Sequence, residues 1–240
     1  MDNELKIDYY FEDLKACPCY KYLPETFLPW ELIKIKDEIF NFQTSDIRGF
    51  IEKSAIVKGV VFIDEGSFID DNVTIQGPVY IGKNCIIRSD SLLRPYSVIG
   101  DYCVVGHNTE VKNSLVFNEA KLASHSVVDD SIIGKGTRIG SGVVTDNRRF
   151  DQKDIIIKIN DKEFDTGYDK FGLIAGDYVR IGSNCSTLPG TIIGKYTWFY
   201  SNLLIYNFYP KEKFVKLRQS MDIVDKPPYK FSIEDKSGKR

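Results

Sequence analysis

Two histidines, His107 and His125, are the only side chains of this 240-residue sequence whose ordinary titration falls close to neutral pH, and they stand eighteen residues apart. An imidazole can take a proton from an attacking nucleophile when it lies within hydrogen-bond reach of it. Two imidazoles fall short of the three that hold zinc in histidine-only catalytic sites, so no metal is expected. Cys17 and Cys19, in "CPC", have neither a second pair nor a nearby histidine to complete a tetrahedral set. A basic pair, Arg94 and Lys112, repeats the eighteen-residue interval and would converge on a phosphate if that interval were one structural turn.

Eighteen is three sixes, and six is the period of the apolar pattern. Val57, Ile63, Ile69, Ile75, Ile81, Ile87, Leu93, Ile99, Val105 and Val111 are evenly spaced. A helix needs period 3.6 and an ordinary strand period 2, so this pattern implies a solenoid whose short flat faces each send one aliphatic inward. The expected fold is all-β: a single-domain left-handed parallel β-helix of hexapeptide repeats. Glycine follows the inward residue at Gly82, Gly100 and Gly106, where a Cβ would crowd the turn. Shorter steps follow at Val116 and Ile133, the pattern resumes at Ile139, and it returns after a long insertion at Ala175, Ile181, Thr187, Ile193, Phe199 and Ile205. With Ala123 inward, the steps between Val111 and Val128 are five, seven and five. His107 and His125 then each lie two residues past an inward position and stack about one strand spacing (~4.8 Å) apart.

Three segments follow: an N-terminal helical cap (1–50), the rod (51–207, insertion 146–172) and a C-terminal tail (208–240). "PETFLPWELIKIKDEIFNF" has proline at a helix start and apolar residues at helical spacing, and the helix is expected to close the first coil. The insertion, with "IIIKIN" and "EFDTGYDKFG", reads as a β-hairpin, which is marginal alone and is expected to pack on a neighbouring subunit. The tail is read as one helical stretch, then Pro227 and Pro228, with a frayed end.

A net charge of −2 with scattered lysines and arginines gives no basic stripe for nucleic acid, and no apolar run is long enough to span a membrane. The acidic N-terminus lacks the plan of a signal peptide, so a cytoplasmic location and five reduced cysteines are expected.

The phrases "LLRPYSVIGDYCVVGHNTEVKNS", "DDSIIGKGTRIGSGVVTDNRRFD" and "GDYVRIGSNCSTLPGTIIG" resemble the acetyltransferase domain of the bifunctional enzymes that N-acetylate glucosamine 1-phosphate and uridylylate the product. "PWELI" is similar to the linker before their β-helix, and the likeness covers about residues 28–205. Fewer than sixty residues precede the rod and none form a glycine-rich phosphate loop, so nucleotidyl transfer is not expected. The resemblance implies a homotrimer with acetyl-CoA in a groove between rods, a histidine base for the sugar amine, and basic residues holding a sugar phosphate.

Carried over residue by residue, the resemblance assigns the phosphate side to Arg94 and Lys112 and a substrate contact to Asn147. It sets Arg138 where the family has a sugar-contacting asparagine, and Ser183 at a small polar position lining the CoA groove. For the base, "ASH" matches the family's "APH" at His125 if one residue is inserted before Ala123; ungapped counting gives Ser124 and, at the family's tyrosine, Val127, while His107 is the other imidazole. Were Leu122 inward and His125 away from the groove between subunits, the catalytic position would fall to Ser124 and a catalytically silent rod would become the leading reading. Trp198, Phe199 and Tyr200 replace smaller residues and either fill the pantetheine channel or cap the last coil. The implied function is N-acetyl transfer to an amino-sugar 1-phosphate or a nucleotide-linked amino sugar. The alternative is a catalytically silent trimeric rod that binds sugar phosphates or partners a separate nucleotidylyltransferase.

Overall fold

The computed structural model describes residues 3–226 of the chain. Three parallel sheets run its length. The first face has nine strands, from Asp46–Ile47 to Phe208–Tyr209. The second has nine, from Phe50–Ile51 to Phe214–Val215, and the third eight, from Ile56–Lys58 to Leu204–Ile205. Successive strands in the chain visit the three faces in rotation, so each coil lies on the one before it and every strand pairs with its counterpart one coil away. This is the left-handed parallel β-helix that period six implied. Pairing thus begins before residue 51 and continues past residue 207, and the hexad resumes at Leu173–Ala175 after the insertion.

The inward column is the one read from the spacing. Ile63, Ile69, Ile75, Ile81, Ile87, Leu93, Ile99, Val105 and Val111 fill one continuous core, joined above by Ile181, Ile193, Phe199 and Ile205. Each buried aliphatic contributes about 2 kcal/mol, which a face only two or three residues wide could not supply with polar side chains. Buried hydroxyls finish the corners: Ser91 donates to the Gly106 carbonyl and Ser126 to that of Gly140.

The uneven coil departs from the expected register. Leu122, not Ala123, is inward, paired with Val105 on one side and Ile139 on the other. The steps are therefore five, six, six and five through Val116, Leu122, Val128 and Ile133. Leucine buries more apolar area than alanine, and the turn position that follows has no room for it. At the equivalent Gly106 an added Cβ would lie 2.5 Å from the Ser124 nitrogen, so Ala123 occupies a place built for the smallest residues.

Among the described residues, the outside of the rod is covered on the first face. Its outward residues, Val98, Leu115, Ile132, Ile174 and Ile192, belong to a second apolar cluster with Tyr10, Phe11, Trp30, Leu32 and Ile33. A sheet buried on both sides reads as a near-continuous hydrophobic run, the sense of "SVIG", "SLVF", "SIIG" and "TIIG". Where the sequence led to a helix closing the first coil, the N-terminal segment straps the first face lengthwise. Tyr10 and Glu12 meet Asp177, Ala16 meets Asn118, Lys36 meets Asn113, and Phe42 meets Phe62 near the first coil. It is mostly 3-10 turns with one four-residue helix, Leu32–Ile35, because its apolar residues serve a flat sheet face instead of a helical stripe.

The hairpin, Ile156–Ile159 with Lys162–Asp165, also departs from expectation by finding its partner in its own chain. Ile155, Ile157 and Ile159 are buried in the same cluster, and Phe164 lies 5.8 Å from Trp30 between ring centroids. No helix forms after Phe208–Tyr209 in the described tail, whose Phe214–Val215 extends the second face instead. Pro227, Pro228 and the expected frayed end lie outside the described residues. Among the described residues no helix is long and apolar enough to cross a membrane.

Candidate functional site

The corner between the second and third faces carries the imidazoles. In one coil the turn is Gly106, His107, Asn108, Thr109; in the next it is Ala123, Ser124, His125, Ser126. Asn108 and His125 both have left-handed backbones, at φ 51° and 62°, so His125 is the structural counterpart of Asn108, and Ser124 that of His107. The expected stacking nevertheless exists: the His125 amide donates to the His107 carbonyl, and the rings meet edge to face with centroids 5.3 Å apart. Ser183, after Gly182, occupies the same corner two coils further on, where its carbonyl accepts from the Asn202 amide.

The hydrogen bonds set what each ring can do. His107 Nδ1 lies 3.0 Å from the Ser89 carbonyl, which can only accept, so an N–H at Nδ1 donates to it. The Asp90 carboxylate is 3.4 Å from the same nitrogen. His125 Nδ1 faces the Asn108 amide at 3.2 Å. The nitrogen of that amide faces the ring and donates to Nδ1; turned over, its oxygen would accept from Nδ1–H and leave Nε2 of His125 free to receive a proton.

From this corner a shallow depression of about 430 Å³ opens over the third face between Asp90, Leu92, Glu110, His125 and Val127. The far edge of the third face holds the expected anion residues. Leu93 pairs with Val111, which sets Arg94 directly against Lys112 in the next coil. Each cation already has an acid. Arg94 Nη1 is 2.7 Å from Glu110, and Lys112 Nζ is 2.9 Å from Asp129 and 3.1 Å from Asp130. Asn147 also reaches Asp130, donating to one carboxylate oxygen while Asn113 donates to the other. Lys36 of the strap donates to Asn113 at 2.8 Å. Burial alone would pull the Lys112 ammonium down, but the Asp129 hydrogen bond and the two carboxylate charges hold it above its ordinary value. Burial pushes the Asp129 carboxyl up despite Lys112.

The structure thus brings Arg94, Lys112 and Asn147 to one edge of the third face and His107, His125 and Ser183 to the other. It does not bring Arg138 to either. Arg138 points outward from the second face, paired with Lys121 and Arg180, so within one chain it does not rim the same depression. Phe199 is inward and meets Tyr209 edge to face at 4.9 Å, filling the end of the core, while Trp198 and Tyr200 are exposed around Phe214. Glu110, Asp129, Asp130 and Asn108 were not read from the sequence. Glu110 carried a signal, since it precedes Lys112 by two and so shares its side of the strand.

Comparison with known proteins agrees with this geometry. The chain is similar to a protein named bifunctional protein GlmU from Methanococcus aeolicus, 37% identical over 82% of this chain and 48% of that protein. It is likewise 44% identical to the GlmU of Methanococcus maripaludis strain C7, over 82% and 48%. A bifunctional sugar-1-phosphate nucleotidylyltransferase/acetyltransferase of Sulfurisphaera tokodaii is 35% identical over 74% of this chain and 44% of its own. The chain spans about half the length of these relatives. Residues 75–209, which include both edges of the third face, match the family described as GMPPB C-terminal domain, and to that family the chain belongs.

Proposed function

We propose that the chain is an acetyl-CoA-dependent N-acetyltransferase acting on an amino-sugar 1-phosphate or a nucleotide-linked amino sugar. The observation that carries this reading is the imidazole pair at one edge of the third face, one face-width from Arg94, Lys112 and Asn147. A phosphorylated sugar laid across the depression would set its phosphate at the cations and its amine at the histidines. His125 takes the proton as the amine nitrogen bonds to the thioester carbon. The C–S bond then breaks, and the CoA thiolate leaves and is protonated. Ser183 marks where the thioester would run along the corner. The acetyltransferase half of the Sulfurisphaera tokodaii relative's name supports the acetyl donor. A homotrimer is part of the proposal, because a groove between rods would enclose the open third face.

The register favours a second reading. With Leu122 inward, Ser124 occupies the corner position that His107 has one coil earlier, and a serine hydroxyl is no base near neutral pH without an activator. Arg94 and Lys112 are also neutralised within the chain. A silent rod that binds sugar phosphates or partners a separate nucleotidylyltransferase would satisfy both facts. Titration with acetyl-CoA, followed by thiol release with glucosamine 1-phosphate and with UDP-glucosamine, separates the two. Thiol release that His125→Ala lowers by roughly 10²–10⁴-fold in kcat supports the enzyme. No acetyl-CoA binding at millimolar concentration sinks it. A monomer mass by light scattering at micromolar protein would remove the trimer.

A further inference from the structure

The outer surface of the second face carries an unneutralised ladder. Lys121, Arg138 and Arg180 occupy the same outward position on three successive strands, in direct register, and all three are exposed. Like charges directly opposite each other on a sheet destabilise it. Among the described residues no carboxylate lies within ion-pair distance of any of them, in contrast to Arg94 and Lys112. Glu119 is the nearest acid at the rim of the depression they line, and it lies 3.6 Å from Lys135. A fold that places three cations in a column with no acid between them has left room for a ligand's charge.

The adjoining corner supplies a flat surface. Tyr178 stacks on Tyr196, ring centroids 5.2 Å apart and 9° from parallel, so one of its faces is covered. On the other side stands Gly136, where a Cβ would come within 2.6 Å of the Tyr178 ring. The missing side chain at Gly136 is what lets the Tyr178 ring lean into that place, and the ring lines the depression together with Tyr102. Strands about 4.8 Å apart put the outer cations of the ladder roughly 10 Å from each other, a span that suits two linked phosphates better than one.

We propose that this slot binds a nucleoside diphosphate, with its phosphates on Lys121, Arg138 and Arg180 and its base against Tyr178. The site is separate from the histidine edge and needs no acetyl transfer to be detected. If both readings hold, it would favour nucleotide-linked amino sugars over sugar 1-phosphates.

Calorimetric titration of the full chain with UDP and with inorganic pyrophosphate tests it. UDP should bind more tightly than pyrophosphate, with an affinity that falls as salt rises. Arg138→Gln and Arg180→Gln should each weaken both probes about tenfold, the scale of one charge-assisted contact. Tyr178→Ala should bring UDP down to the level of pyrophosphate, and His125→Ala should change neither. UDP binding that survives both arginine substitutions, or no binding at low salt, overturns the proposal. Displacement of UDP by acetyl-CoA would assign the slot to the nucleotide end of the thioester and overturn it as a separate site.

Discussion

His125 stands edge-on to His107 with ring centroids 5.3 Å apart and planes 87° from parallel, although the two residues hold different places in their turns. One is the second residue of its turn and the other the third, and the left-handed backbone at His125 swings its ring back over the coil below. The ring is oriented by Asn108, its counterpart in that coil. Asn108→Ala should therefore lower kcat about tenfold at unchanged KM, and Asn108→Asp should restore part of it. A change confined to KM would show that Asn108 holds substrate and not the ring.

The register itself can be measured. Leu122 is buried in the core, whereas Ala123 lies at the turn. Leu122→Ala should cost about 2–5 kcal/mol in denaturant unfolding, and Ala123→Gly no more than about 1 kcal/mol. Equal effects would mean that the two share the inward position.

Asp130 joins three elements, since Asn113, Asn147 and Lys112 all address its buried carboxylate. Asp130→Ala should destabilise the chain by about 3 kcal/mol by leaving two amides without their acceptor and Lys112 with Asp129 alone. It should also free the base of the 146–172 insertion, read as faster amide exchange at Phe171, whose N–H donates to the Asn147 carbonyl.

The hairpin serves its own chain. Ile157 is fully buried against the strap, so Ile157→Ala should lower stability by about 2–5 kcal/mol without altering the mass seen in light scattering. A fall in mass at unchanged thermal midpoint would reassign the hairpin to a contact between subunits.

The strap is tied to the rod by Asp177, whose carboxylate accepts from the amides of Glu12 at 2.7 Å and Lys135 at 2.8 Å. Burial raises that carboxyl to about 6 despite these bonds. A carboxyl pKa raised on folding means that the folded state holds the proton more tightly. The resulting stability is complete below pH ~4 and is lost as pH rises through about 6. In Asp177→Asn, the difference in unfolding free energy between pH 4 and pH 7 should shrink by on the order of 2 kcal/mol. An unchanged difference would place the titration elsewhere.

The hexad alone determined the rod, because only an inward aliphatic every sixth residue closes so narrow a core: Ile63, Ile99, Ile139 and Ile193 are buried where their spacing put them. It also fixed which residues share an edge wherever the coils keep eighteen residues, as Arg94 and Lys112 do. Spacing failed where a coil lost a residue, since Leu122 and Ala123 are both apolar and only the room left beside Gly106 chooses between them. It was silent on the strap, whose contacts with the rod cross separations as large as the 202 residues between Tyr9 and Lys211. It was equally silent on Arg138 and Arg180, forty-two residues apart with the insertion between them, yet neighbours in one ladder. Whether a cation is free or neutralised depends on which strands the coils set side by side, and that the tertiary structure alone decided.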